Sequence, residues 1–112
     1  MSYSHDKFYQ LLGLCNRAGG LVSGETACEK AIKTGNAKLV VISEEASVNT
    51  LNKFVEKCNS KNITYVIAGC KKTLGRAIGK SSRTVIAITD NRFSDIILEQ
   101  YRNREHQYGG DR

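Results

Sequence analysis

Gly35-Asn36-Ala37-Lys38-Leu39-Val40-Val41-Ile42-Ser43-Glu44-Glu45-Ala46 decides the fold. Its centre, Leu39 to Ile42, is an unbroken β-prone apolar run with no polar alternation, the pattern of a strand covered on both faces. Upstream, Ala27, Cys28, Ala31 and Ile32 recur at helical spacing behind Ser23, a residue type that caps helix starts. Gly35 stops that helix. Downstream, Val48, Leu51, Phe54, Val55 and Cys58 mark the next one. A buried strand between two helices is the repeating unit of an α/β sheet.

The alternation extends in both directions. Phe8, Leu11, Leu12 and Cys15 form a first helical stripe, closed by Gly19-Gly20, and Leu21-Val22 is a short strand. Ile63 to Ile67 is a further strand. Leu74, Ala77 and Ile78 mark a short helix ending at Gly79. Thr84 to Ile88 is another buried strand, and Phe93, Ile96, Ile97 and Tyr101 form the last helical stripe. The expected architecture is a three-layer α-β-α sandwich around a central mixed, mostly parallel four-stranded sheet. The 112 residues contain no proline and no linker-like stretch, so residues 1–101 are expected to form one domain. Residues 102–112 are polar and Gly-containing, and are expected to form a flexible tail.

Net charge is +6, which favours nucleic acid or an anionic surface as partner. The charge is unevenly placed. From Lys57 to Arg83 there are seven cations (Lys57, Lys61, Lys71, Lys72, Arg76, Lys80 and Arg83) and no Asp or Glu. Like charges repel, so such a stretch does little for a fold, but each phosphate neutralised by it releases counterions. Lys57 and Lys61 end a helix, where cations suit the dipole, and read as structural. Lys80 and Arg83 fall in the turn before a strand, with no assigned role.

No apolar run approaches the roughly 18 residues of a membrane span. Met1 to Asp6 has neither the basic start nor the apolar stretch of a signal peptide, so the cytoplasm is the expected compartment. The four cysteines, Cys15, Cys28, Cys58 and Cys70, form no C-x-x-C pair, so neither a metal nor a cofactor is expected. The first three fall on apolar helical stripes and read as small buried hydrophobes. His5 and His106 lie in the terminal segments and read as surface residues.

Two catalytic readings fail on their own residues. Gly19-x-x-x-x-Gly24-Glu25-Thr26 has the glycine spacing of an NTP loop, but Glu25 stands where Lys must grip phosphate. Glu44-Glu45 follows a strand end, yet adjacent carboxylates point apart and no His, Cys or Ser forms a partner motif. An enzyme is therefore not expected. A binding surface fits better. Gly24 allows close backbone approach, the helix it opens offers free N–H groups, and Thr26, Lys30 and Lys33 share one polar face. The loops Ser43 to Ala46 and Ala68 to Lys72 also follow strand ends. In a parallel arrangement they lie on the same sheet edge as Gly24.

Gly24 to Ile32, Gly35 to Ala46, Asn62 to Val66 and Leu74-Gly75-Arg76-Ala77-Ile78-Gly79 resemble the ribosomal "L-seven-Ae / L-thirty-e" family of kink-turn RNA-binding proteins. The likeness spans roughly Leu12 to Ile88. The segment Gly13 to Gly24 looks most like its bacterial YlxQ-like branch. The resemblance implies a non-catalytic, monomeric RNA-binding protein, associated with ribosomal or other structured RNA. Family members read sheared G·A pairs with a pattern of Gly, a small residue, Asn, Glu, two variable residues and Lys. Gly24 and Lys30 match, while Thr26 replaces the Asn and Ala27 the Glu. Thr keeps one hydroxyl and Ala keeps nothing, so phosphate attraction survives and kink-turn specificity weakens.

The site implied joins Gly24, Thr26, Lys30 and Lys33 to Glu45, Ala46, Gly69, Cys70, Lys71 and Arg76. Lys71 and Arg76 are assigned to phosphate, and the small residues at 68–70 to a flipped-out base. The missing Asn-Glu pair also fits an alternative: a protein-interaction module that kept the fold and lost specific RNA binding.

Overall fold

The computed structural model describes the backbone of residues 3–109 and the side chains of residues 7–103. Helix α1 is Tyr3–Arg17, strand β1 Leu21–Ser23, α2 Glu25–Lys33, β2 Leu39–Ile42 and α3 Val48–Ser60. Then follow β3 Thr64–Ile67, α4 Lys71–Ala77, β4 Val85–Ile88 and α5 Asn91–Gly109. The last helix continues through residues expected to form the tail, and positions 110–112 lie outside the described residues, as do the side chains of His5 and His106.

The strand order is β1-β4-β2-β3. β2 and β3 pair in parallel, with Leu39 opposite Thr64 and Ile42 opposite Ile67. β4 runs against both of its neighbours, with Ile88 opposite Leu21 on one side and Leu39 on the other. The sheet is thus mixed. β1, β2 and β3 point one way, while the reversed β4 sits between β1 and β2, making two of the three ladders antiparallel.

Every residue of β2 and of β4 is buried, as their unbroken apolar runs demand. Side-chain alternation then divides them between two cores. Leu39, Val41, Ile86 and Ile88 pack with Phe8, Leu12, Leu74 and Ile97, under α1, α4 and α5. Val40, Ile42, Val85 and Ala87 pack with Cys28, Ile32, Phe54 and Cys58, under α2 and α3. These are the three layers. Each fully buried Leu, Ile or Phe contributes about 1.5–3 kcal/mol. β3 is an edge strand, and only Val66 of its four residues is buried.

Two local expectations change. Ser23 does not cap α2. It is the last residue of β1, and Gly24 takes the N-cap position with no side-chain bond. Ile63 lies outside β3, because Asn62 turns the chain with a left-handed φ of 57°. The thiols behave as read. Cys15, Cys28 and Cys58 are buried and free, and Cys70 is half-exposed. No helix among the described residues is long and apolar enough to cross a membrane.

Candidate nucleic-acid interface

Because β1, β2 and β3 share a direction, the chain leaves all three at one edge of the sheet. The reversed β4 starts at that same edge. Four segments therefore meet there, and backbone hydrogen bonds hold them in register.

Gly24 is the first. Its φ of 92° and ψ of 156° lie in a region open essentially to glycine alone. Its N–H donates to the Val85 carbonyl at 3.0 Å, and its carbonyl accepts from Cys28 N at 3.0 Å, starting α2. A Cβ placed there would meet nothing within 4 Å, so the space over Gly24 is open. Thr26 is exposed on the first turn and Ala27 beside it is half-buried.

The loops after β2 and β3 are stapled together. Ser43 N donates to the Thr84 carbonyl at 2.8 Å, and Ser43 Oγ and Glu44 N both donate to the Gly69 carbonyl, at 3.2 and 2.8 Å. Glu45 N donates to Ser43 Oγ at 2.9 Å. The Glu45 carboxylate accepts from Lys71 N at 3.0 Å, so it satisfies an otherwise free N–H at the start of α4. Ala46 is half-buried in the same turn. Gly69 is required here. Its φ is +77°, and a Cβ would fall 2.7 Å from Tyr9 Oη. Cys70 takes the N-cap position of α4, its N–H donating to Thr73 Oγ1 at 3.1 Å. The Thr73 hydroxyl beside its sulfur, followed by nearby backbone N–H groups, holds the Cys70 thiol below the usual thiol range. Lys71 and Lys72 are exposed on the first turn of α4.

Of the residues assigned to the site, Gly24, Thr26, Glu45, Ala46, Gly69, Cys70 and Lys71 lie on this edge. Lys30 and Lys33 run away from it down α2. Arg76 is exposed in the last turn of α4, more than a turn beyond Lys71, and makes no bond to the edge. The arginine tied to the edge is Arg83. Its Nε donates to Ser23 Oγ at 2.9 Å, its Nη1 to the Ser82 carbonyl at 2.7 Å and its backbone N–H to the Lys71 carbonyl at 2.9 Å. Arg83 escaped the sequence reading because residues that precede a strand reach this edge only when the strand is reversed.

The acids of α2 point elsewhere. Lys53 of α3 bonds Glu25 at 2.9 Å and Glu29 at 2.6 Å, and Thr50 Oγ1 lies 3.5 Å from Glu25. That pairing holds the Glu29 carboxyl below its ordinary range. The buried thiols are removed from thiolate chemistry at neutral pH. Burial pushes Cys28 up to about 12, and Cys15 and Cys58 to about 11. Among the described residues, no three His, Cys, Asp or Glu side chains cluster as a metal ion would need.

The profile of the ribosomal protein L7Ae/L30e/S12e/Gadd45 family matches residues 6–98. The chain is 42% identical over 92 residues to the RNA-binding protein YlxQ of Bacillus subtilis (strain 168), covering 82% of this chain and 92% of that protein. It is 32% identical over 91 residues to the RNA-binding protein YlxQ of Enterococcus faecium, covering 81% and 87%. A solved structure from Bacillus halodurans, of a protein with unknown function, superposes with a TM-score of 0.82 at 39% identity, covering 84% of this chain and 95% of that one. The Giardia lamblia 15.5kD RNA binding protein shares the fold, with a TM-score of 0.75 at 22% identity and coverage of 89% and 86%.

Proposed function

This chain belongs to the ribosomal protein L7Ae/L30e/S12e/Gadd45 family, in its bacterial YlxQ-like branch, and from that premise we propose that it is a cytoplasmic, monomeric, non-catalytic protein that binds structured RNA, ribosomal RNA included, at the edge where β1, β2 and β3 end. The observation that carries this reading is the junction of Ser23-Gly24 with Arg83-Thr84-Val85. It sets a guanidinium 2.9 Å from the Ser23 hydroxyl, beside an open glycine at a helix N-terminus. An RNA backbone can approach Gly24 closely, meet the free N–H groups of α2, and find Arg83, Lys71 and Lys72 around it. Glu45 serves this site through the Lys71 amide rather than by touching RNA.

Thr26 and Ala27 set the expected selectivity. The loss of a donor-acceptor pair at a base edge removes roughly 1–3 kcal/mol of discrimination. Phosphate contacts are untouched, so RNA is bound with reduced preference for kink-turns. The test is fluorescence anisotropy on a kink-turn RNA and a plain duplex RNA, each titrated with salt. Lys71→Glu and Arg83→Glu should weaken both complexes and flatten the salt slope by about 1 per cation. Wild-type chain that binds neither RNA, yet retains a protein partner from lysate, would move the assignment to the protein-interaction reading. Arg76→Glu separates the two arginines: loss of affinity equal to that of Arg83→Glu extends the site along α4.

A further inference from the structure

Away from the strand-end edge, α2 and α3 lie side by side on one face of the sheet. The seam between them opens into a groove of about 500 Å³. Lys30 and Lys33 line it from α2, Lys57 from α3 and Lys61 from the C-cap that follows α3, and Thr26 and Ser60 line it as well. We propose that this groove is a second RNA contact, which takes the phosphate backbone of a segment running off the strand-end edge. The proposal rests on the RNA-binding reading above and extends its footprint.

Three observations carry it. First, cations outnumber acids in the groove, four lysines to one glutamate, even though Glu29 also acts on Lys57. Glu29 is the one acid among the described residues that lines it, and Glu25 lies one turn before; both are bonded to Lys53. Among the described residues, Lys30, Lys33, Lys57 and Lys61 have no ion pair. Four cations sharing one open groove repel each other, and an anion lying between them relieves that repulsion. Second, the groove is continuous with the edge. Thr26 stands on the first turn of α2 at the edge, and Lys33 lies about 10 Å further along the helix axis. The groove therefore begins beside the edge, at Thr26. Third, its chemistry suits phosphate and not bases. Among the described residues no arginine fork and no aromatic ring lines it, and lysines act as point charges without base-edge geometry.

Helix dipoles account for the placing of Lys30, Lys33 and Lys57 in last turns, one helix at a time. They do not account for two helices setting their cations around a common opening. Nor do they require Lys61, which follows the helix as its C-cap.

The probe is a labelled kink-turn RNA whose flanking duplex arms are each extended by a full helical turn, titrated with salt. Lys57→Ala/Lys61→Ala should lower affinity and flatten the log–log salt slope by about 1–2. Lys57→Arg/Lys61→Arg should keep both. The single Lys61→Ala, outside the helix, should flatten the slope by about 1 and stands in if the double variant does not fold. Wild-type binding with the same slope in Lys61→Ala and in the double variant overturns this inference alone. Wild-type chain that binds neither this RNA nor its unextended parent overturns the strand-end reading and this inference together. If the slope is unchanged but the double variant loses binding to poly-glutamate shown by wild type, the groove serves an acidic protein and the RNA assignment is overturned.

Discussion

Gly75→Ala sets two magnitudes against each other. Gly75 lies inside α4, where an exchange of Gly for Ala ordinarily gains about 1 kcal/mol of helix propensity. Gly75 is also buried under the returning chain. A Cβ there would fall 2.5 Å from Ser82 Cα, 2.6 Å from Ser82 N and 2.8 Å from Ser82 C. Optimal carbon contacts lie at about 3.5–4.0 Å, so the overlap is about 1 Å. All three atoms are backbone, and no rotamer change relieves them. The segment from Lys80 to Arg83 must lift off α4. Overpacking of this kind costs about 1–3 kcal/mol, which exceeds the propensity gain over most of its range. The difference is a net loss of up to about 2 kcal/mol, which lowers Tm by up to about 12 °C in a domain of this size.

The same lift strains the Lys80 N to Gly75 O bond of 2.8 Å and the Arg83 N to Lys71 O bond of 2.9 Å. Arg83 then loses its seat against Ser23. RNA affinity should fall toward that of Arg83→Ala, and the two changes together should cost less than their sum, because both act on one contact. Thermal melts by circular dichroism and anisotropy titrations on the four chains of the cycle measure this. A Tm for Gly75→Ala equal to or above wild type would refute the clash, and strict additivity with Arg83→Ala would refute its link to the site.

Alkylation of native protein near pH 8 should modify Cys70 first, since its thiol is lowered while Cys15, Cys28 and Cys58 are buried and raised to about 11, 12 and 11; peptide mass spectra showing a buried thiol labelled as fast would contradict this. Glu29 is held below its ordinary 4.5 by Lys53, so its contribution to stability is complete above that value and lost as pH falls through the lowered one. Urea melts of Glu29→Gln should therefore match wild type in strong acid and fall below it above pH 4.5, and parallel curves across that window would sink the pairing. Phe54→Ala, in the core between the sheet and α3, should cost about 3–5 kcal/mol by denaturant unfolding, and a loss under 1 kcal/mol would show that the site collapses around the cavity.

The layers were legible because Leu39 to Ile42 and Val85 to Ile88 are apolar without alternation, which only a strand covered on both faces requires. Strand order and direction were not, since the apolar pattern of β4 is the same read in either direction. Gly24 and Gly69 announced the edge as glycines following strands. Arg83 stayed hidden because its place depends on the reversal of β4, a property of the whole sheet. Lys57 and Lys61 read as helix-end cations, and only the packing of α3 against α2 shows what they share. Ser23 shows the limit of local rules: as a cap type before a helix it fits the pattern, but the ladder to β4 extends through it and its hydroxyl goes to Arg83.

The central place of β4 also bears on the order of assembly. β1 pairs with β4 alone, and β2 meets β1 only through it. While a ribosome is still making the first 84 residues, β1 has no neighbour, and both cores lack the strand that runs through their middle. The β2–β3 pair and α3 can form during synthesis, because their contacts are close in sequence. The sheet closes only when residues 85–88 emerge, and that step also brings Arg83 to Ser23. On the proposed reading, a nascent chain therefore lacks the edge at which RNA would bind until residues 85–88 join the sheet.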